Sequence, residues 1–160
     1  MSARDEILAA NDRYAAAFDR AGLPAPPARA FAVLTCMDAR LDPALFLGLG
    51  AGDAHVLRNA GGFATDDALR SLAISAHLLG TREAFVIAHE RCGMLGFANE
   101  ELRERIGPAA RDVDFLPFAD LDEAVRESVR RIRGSELLPA GFGATGFVYD
   151  VESGRLREIA

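Results

Sequence analysis

Apolar residues in this chain fall into two patterns. Short unbroken runs occur at Ala30-Phe31-Ala32-Val33-Leu34-Thr35 and at Ala84-Phe85-Val86-Ile87-Ala88. Bounded by turn residues, such runs read as strands of a parallel sheet buried on both faces. Elsewhere apolar residues recur every three to four positions, the period of an amphipathic helix. Residues 3–21 show it first: Ile7, Ala10, Tyr14, Phe18 and Ala21 share one stripe, and Gly22 ends it. Leu23-Pro24-Ala25-Pro26-Pro27 then reads as a stiff, extended linker. The chain therefore divides into an N-terminal helical arm with its linker, residues 1–29, and an α/β domain, residues 30–160.

Asp42 and Pro43 have the order of an N-cap and first helical residue, opening a short helix that ends near Gly48. Residues 54–58 make a second strand. Thr65 or Asp66 caps a long helix through Leu79, with Gly80 as its stop. Its apolar face is Leu69, Leu72, Ala73, Ala76 and Leu79; Ile74 and Leu78 widen it, which predicts a largely buried crossover helix. A further helix is expected from Gly93 to Ile106, stopped by Gly107-Pro108. Residues 108–119 have no clear period. Asp120 to Glu123 resembles a capping box ahead of an amphipathic helix that contains Val125, Val129 and Ile132. Residues 145–151 and 156–159 read as strands joined by Glu152-Ser153-Gly154. This order specifies a single α/β domain, its central sheet mostly parallel and flanked by helices, with a C-terminal edge hairpin.

Composition narrows the function. A length of 160 residues suits one domain with a real core, and a net charge of −6 makes nucleic acid an unexpected partner. No run is long enough to span a membrane. The first twenty residues are charged and amphipathic, unlike a signal peptide, so a cytoplasmic location is expected.

The chemistry lies just past the two apolar runs. The only two cysteines are Cys36, in Cys36-Met37-Asp38-Ala39-Arg40, and Cys92, in His89-Glu90-Arg91-Cys92. Both groups emerge at the carboxyl ends of strands, where open α/β sheets bind ligands. Thiolate and imidazole are ligands that Zn²⁺ prefers, and three of them leave a fourth position open, as in catalytic sites. A disulfide is disfavoured in a cytosolic chain, and a redox pair lacks C-x-x-C. A phosphatase-type thiolate loop would want its arginine later than Arg40. Two unrelated core cysteines remain the plain alternative. An aspartate two residues from a ligand reaches either the metal or its water, and Arg40 can hold Asp38 ionised through a bidentate bond.

These residues resemble the β-class carbonic anhydrase family. The resemblance rests on C-x-D-x-R at Cys36, Asp38 and Arg40, on H-x-x-C at His89 and Cys92, and on Arg58-Asn59-Ala60-Gly61 between them. It implies one zinc ion per chain on Cys36, His89 and Cys92, with Asp38 and Arg40 as catalytic dyad. It implies reversible hydration of carbon dioxide to bicarbonate and a proton, with zinc-bound hydroxide as nucleophile. It also implies a homodimer or higher homo-oligomer, with the N-terminal helix reaching over the partner. The chain departs from some relatives in having neither glutamine nor tryptophan. A substrate hydrogen bond is then expected from a backbone amide near Gly61. Two other functions share the motifs: hydrolysis of COS or CS₂ on the same zinc, and a non-enzymatic zinc-binding interaction protein.

Overall fold

The computed structural model describes residues 1–160. Its elements are α1 (Ala3–Ala16), β1 (Phe31–Cys36), α2 (Pro43–Phe46), β2 (His55–Asn59), α3 (Asp66–Leu79), β3 (Glu83–His89), α4 (Asn99–Ile106), α5 (Leu121–Arg133), β4 (Gly143–Tyr149) and β5 (Leu156–Glu158). Short 3₁₀ turns lie at Ala60–Gly62 and Pro108–Ala110. The sheet order is β2-β1-β3-β4-β5; the first four strands are parallel, and β5 is antiparallel to β4. The expected fold class is the one observed.

The first apolar run becomes β1, in which all six residues are buried. Its side chains alternate between two cores. Ala32 and Leu34 pack with Leu72, Val86, Val129 and Ile132 on one face, while Phe31 and Val33 pack with Ile87 on the other. Leu34, Leu72, Ile87 and Ile132 are the largest fully buried apolar side chains. Truncating a leucine or isoleucine of this kind to alanine costs about 2–5 kcal/mol. This doubly covered strand holds Cys36 at its last position.

The caps behave as their chemistry predicts. Asp42 accepts from the Leu45 amide at 3.2 Å, Thr65 from Ala68 at 3.3 Å, and Asp120 from Glu123 at 2.9 Å. Gly80 closes α3 in the left-handed conformation.

Three expectations need correction. Helix α1 ends at Ala16, not Ala21, and buries no residue; Ile7, Tyr14 and Phe18 are 67%, 55% and 49% exposed. Tyr14 in its last turn packs only locally, on the Phe18 ring with centroids 5.6 Å apart. Helix α3 is buried on one face only, through Ala68, Leu69, Leu72 and Ser75. Ile74 and Leu78 face outward, because the sheet meets only the opposite side. The helix expected from Gly93 begins at Asn99. The residues before it are held as a turn, with Leu95 bridged to Phe118 and the Phe118 amide bonded to the Met94 carbonyl at 3.3 Å. The aperiodic stretch after α4 is fixed by side chains instead. Asn99 bonds Asp114 and the Phe115 amide, and Arg103 bonds the Val113 carbonyl.

Candidate metal centre

Register brings the predicted residues together. Neighbouring parallel strands β1 and β3 end in the ligand segments, with Thr35 opposite Ile87. The Thr35 hydroxyl donates to the Ile87 carbonyl at 2.7 Å, locking the two strand ends. His89 is the last residue of β3, and the chain then folds back on itself. Arg91 takes the left-handed conformation (φ 54°), which is costly for a side-chain-bearing residue and returns Cys92 beneath His89.

The ligand atoms of Cys36, His89 and Cys92 lie within 4.8 Å of one another, and all three residues are buried. The two sulfurs are 4.0 Å apart, far beyond a disulfide bond, and both cysteines are free. Two zinc–sulfur bonds of about 2.3 Å at a tetrahedral angle would put the sulfurs about 3.8 Å apart. The imidazole is oriented to match. His89 Nδ1 lies 2.9 Å from the Glu90 carbonyl, which can only accept, so the ring proton sits on Nδ1. Nε2, fully buried, has no hydrogen-bond partner. A buried polar atom left unpaired costs about 1–3 kcal/mol. A cation between Nε2 and the two sulfurs removes that cost, and Nδ1 pinned by a carbonyl is the usual arrangement of a metal-bound histidine.

The electrostatics point the same way. The Cys36 thiol is pulled down to about 4, first by its hydrogen bond from Cys92, against the opposing effect of burial. The His89 ring and the amides of Asp38 and Gly61 add to the pull. Cys92 is pushed up, because it holds the proton its partner gives up and is itself buried. Burial lowers His89, but the nearby Cys36 sulfur, the Glu90 carbonyl and the charge on Asp38 outweigh it and leave the net shift upward.

Beside this cluster, Asp38 and Arg40 form a two-pronged ion pair. Arg40 Nε donates to Oδ1 at 2.9 Å and Nη2 to Oδ2 at 2.7 Å; the Arg40 amide adds a bond to Oδ1 at 2.9 Å. These bonds hold the Asp38 carboxyl well below the usual carboxylate range. Asp38 Oδ2 is 3.6 Å from His89 Nε2, so the carboxylate borders the cluster without joining it. An ion pair this exposed adds little to folding; its consequence is orientation. Arg40 Nη2 also reaches the Arg91 carbonyl at 3.0 Å, tying the aspartate to the turn that carries two ligands.

Sequence reasoning missed some of these parts. Arg58 is more than a strand residue: Nε donates to the Cys36 carbonyl at 3.0 Å and Nη2 to the Asp38 carbonyl at 2.7 Å. An arginine three residues before a glycine does not by itself announce such a grip. Gly61, the expected substrate contact, is buried in the turn after β2 with a left-handed backbone. Apolar side chains close the surroundings, with Leu41 buried and Phe46, Met94, Leu95 and Phe118 against it. A cavity of about 620 Å³, lined by Phe63, Leu116 and Phe118 among others, touches none of the three ligands.

The family model for carbonic anhydrase matches residues 31–113, which include Cys36, Asp38, Arg40, Arg58, Gly61, His89 and Cys92. The chain is also 42% identical to β-carbonic anhydrase 1 of Mycobacterium tuberculosis, over 99% of both chains. The chain belongs to the β-carbonic anhydrase family. Among solved structures, the carbonic anhydrase of Streptococcus mutans superposes with a TM-score of 0.92 at 45% identity, covering 100% of this chain and 99% of that one. A carbon disulfide hydrolase of Acidianus is 37% identical over 83% of this chain and 78% of its own length. β-Carbonic anhydrases are zinc enzymes, and the Cys36-His89-Cys92 cluster fits a zinc site.

Proposed function

We propose that Cys36, His89 and Cys92 hold one zinc ion per chain and that Asp38 and Arg40 serve it in the reversible hydration of carbon dioxide to bicarbonate and a proton. The observation that carries this reading is the buried, unpaired Nε2 of His89 facing two thiols. When bound, zinc supplies the Lewis acidity that makes water a nucleophile near neutral pH. Two thiolates and a neutral imidazole offset the dication's charge, so the acidification is milder than three histidines would allow. Asp38 accepts the hydrogen bond of the attacking water and aims its lone pair. Arg40 keeps that carboxylate charged and turned away from the ligand position. The apolar side chains around Leu41 exclude bulk water and suit a small apolar substrate.

The 37% identity to a carbon disulfide hydrolase favours a second reading, hydrolysis of CS₂ or COS on the same centre. Stopped-flow CO₂ hydration with COS as competitor separates the two. Fast hydration, weakly inhibited by COS, supports the first reading; negligible hydration with COS turnover replaces it by the second.

A homodimer or larger homo-oligomer is part of the proposal, with α1 crossing to a partner. Its support is a helix that buries nothing and exposes Ile7, Tyr14 and Phe18 at the end of a proline linker. Light scattering on a chain lacking residues 1–22 tests it, and an unchanged, equally stable oligomer would count against the crossing arm. A cytoplasmic location follows from the need to keep two free thiols reduced. No helix of the chain is long and apolar enough to cross a membrane.

A further inference from the structure

We propose that Asn59 is a positioning residue for the metal centre: its side-chain amide locks the turn at Ala60–Gly62 flush against the backbone of Cys36 and so fixes where that ligand stands. The inference rests on the reading of Cys36 as a zinc ligand.

Asn59 is the last residue of β2 and stands in register opposite Cys36. Its main-chain carbonyl accepts from the Met37 amide at 2.9 Å, continuing the pairing one residue past the ligand. Its side chain does something separate. Nδ2 donates to the Phe63 carbonyl at 2.8 Å, while Oδ1 accepts from the Phe63 amide at 2.9 Å. Both polar groups of one residue are thus gripped by one carboxamide, which closes a ring around the intervening turn.

The turn needs such a clasp. Gly61 and Gly62 both have left-handed backbones, with φ of 85° and 72°. Glycine adopts that conformation freely, but it also leaves it freely. A Cβ on Gly62 would lie 3.0 Å from the Cys36 nitrogen and 3.0 Å from the Thr35 carbonyl carbon. The turn therefore lies flush against the end of β1, and both glycines are buried. Groups that hold a metal ligand in place from behind commonly set affinity. Asn59 touches neither metal position nor substrate; it acts through the glycine turn packed on Cys36.

A clasp of purely structural value would raise stability and nothing else, so the test includes one. Asn99 makes the same kind of grip on another loop, bonding Asp114 at 2.8 Å and the Phe115 amide at 2.9 Å. Zinc-loaded wild type, Asn59→Ala, Asn59→Asp and Asn99→Ala are compared for zinc release to a chelator. Their cobalt-substituted forms are compared for the thiolate-to-cobalt charge-transfer absorption. Asn59→Ala should weaken zinc binding by roughly 10–100-fold and shift the cobalt band. Asn59→Asp keeps the acceptor for the Phe63 amide and should fall between Asn59→Ala and wild type. Asn99→Ala should leave both readouts unchanged. Wild-type zinc binding and absorption in both Asn59 variants would overturn the proposal, as would an equal change in Asn99→Ala. If Asn59→Ala does not fold, Asn59→Asp decides, and wild-type behaviour there overturns it. A wild type that binds no zinc, or a Cys36→Ser variant that binds it fully, overturns the zinc reading itself and this inference with it.

Discussion

The parallel strands carry a buried polar cluster at each end, and the two are built on opposite plans. At the amino ends, His55 opens β2 and its Nδ1 meets the Ser75 hydroxyl at 2.7 Å; that hydroxyl meets Thr81 at 2.5 Å. Ser75 and Thr81 are each 3% exposed, yet both hydroxyls find partners within the chain. At the carboxyl ends, His89 is more deeply buried still, and its Nε2 has none. Both clusters contain a histidine and two small polar or thiol side chains. The first is complete by itself and holds β2, α3 and the start of β3 together. The second is complete only with a cation. Leaving one buried atom unpaired is what separates a site from a staple here, because folding alone would select against that cost.

The contrast is open to direct attack, most severely at the metal end. Cys92→Ser should lower zinc content from about one per chain to near zero, with loss of catalysis, since a neutral hydroxyl replaces a thiolate ligand. Metal analysis after dialysis measures it, and full zinc retention would remove Cys92 from the ligand set.

Next in size is Asp38→Asn. It should keep zinc and fold while CO₂ hydration falls by about 10²–10⁴-fold, the usual worth of a positioned proton acceptor. Paired metal and stopped-flow measurements distinguish this from ligand loss; a drop in zinc to match the drop in rate would make Asp38 a ligand.

At the other end, Ser75→Ala should cost about 1–3 kcal/mol of unfolding free energy by stranding His55 and Thr81. Zinc content and the rate well below the melting temperature should not change. If zinc content fell with stability, the two ends would not be independent.

The smallest effect concerns pH. The Asp38 carboxyl is depressed in the folded chain, chiefly by its hydrogen bonds from Arg40. The stability it contributes is present above the unfolded carboxylate value, about 3.9, and is lost only as pH falls through the lower folded value. Asp38 should therefore remain ionised at pH 4 in wild type and begin to protonate there in Arg40→Ala. Carboxyl-carbon NMR titration reads this; protonation of wild type near pH 4 would mean that Arg40 does not hold it.

Much of this was legible in the chain itself. Two apolar runs were readable as doubly buried strands because no polar residue interrupts Phe31–Leu34 or Ala84–Ala88. Asp42, Thr65, Asp120 and Gly80 marked helix ends through local hydrogen-bonding and backbone freedom, which need no distant partner. Cys36, His89 and Cys92 stood out because thiol and imidazole at strand ends have few other uses. Periodicity was less informative about neighbours. It showed that Ile7, Tyr14 and Ile74 lie on apolar stripes, but only the assembled sheet decides which stripes it covers.

What only tertiary structure decided is the pairing across distance. The order β2-β1-β3-β4-β5 brings Asn59 opposite Cys36 and puts β3 beside it on the other edge, although some 20 and 50 residues of chain intervene. The Arg58 grip on two carbonyls, the Gly62 turn against the Cys36 nitrogen and the Asn59 clasp on Phe63 are contacts with backbone groups. Every residue has such groups, so no residue type announces them. Ligand identity is written in side-chain chemistry and can be read one position at a time. Ligand geometry is set by where anonymous backbone atoms fall once the strands are in register.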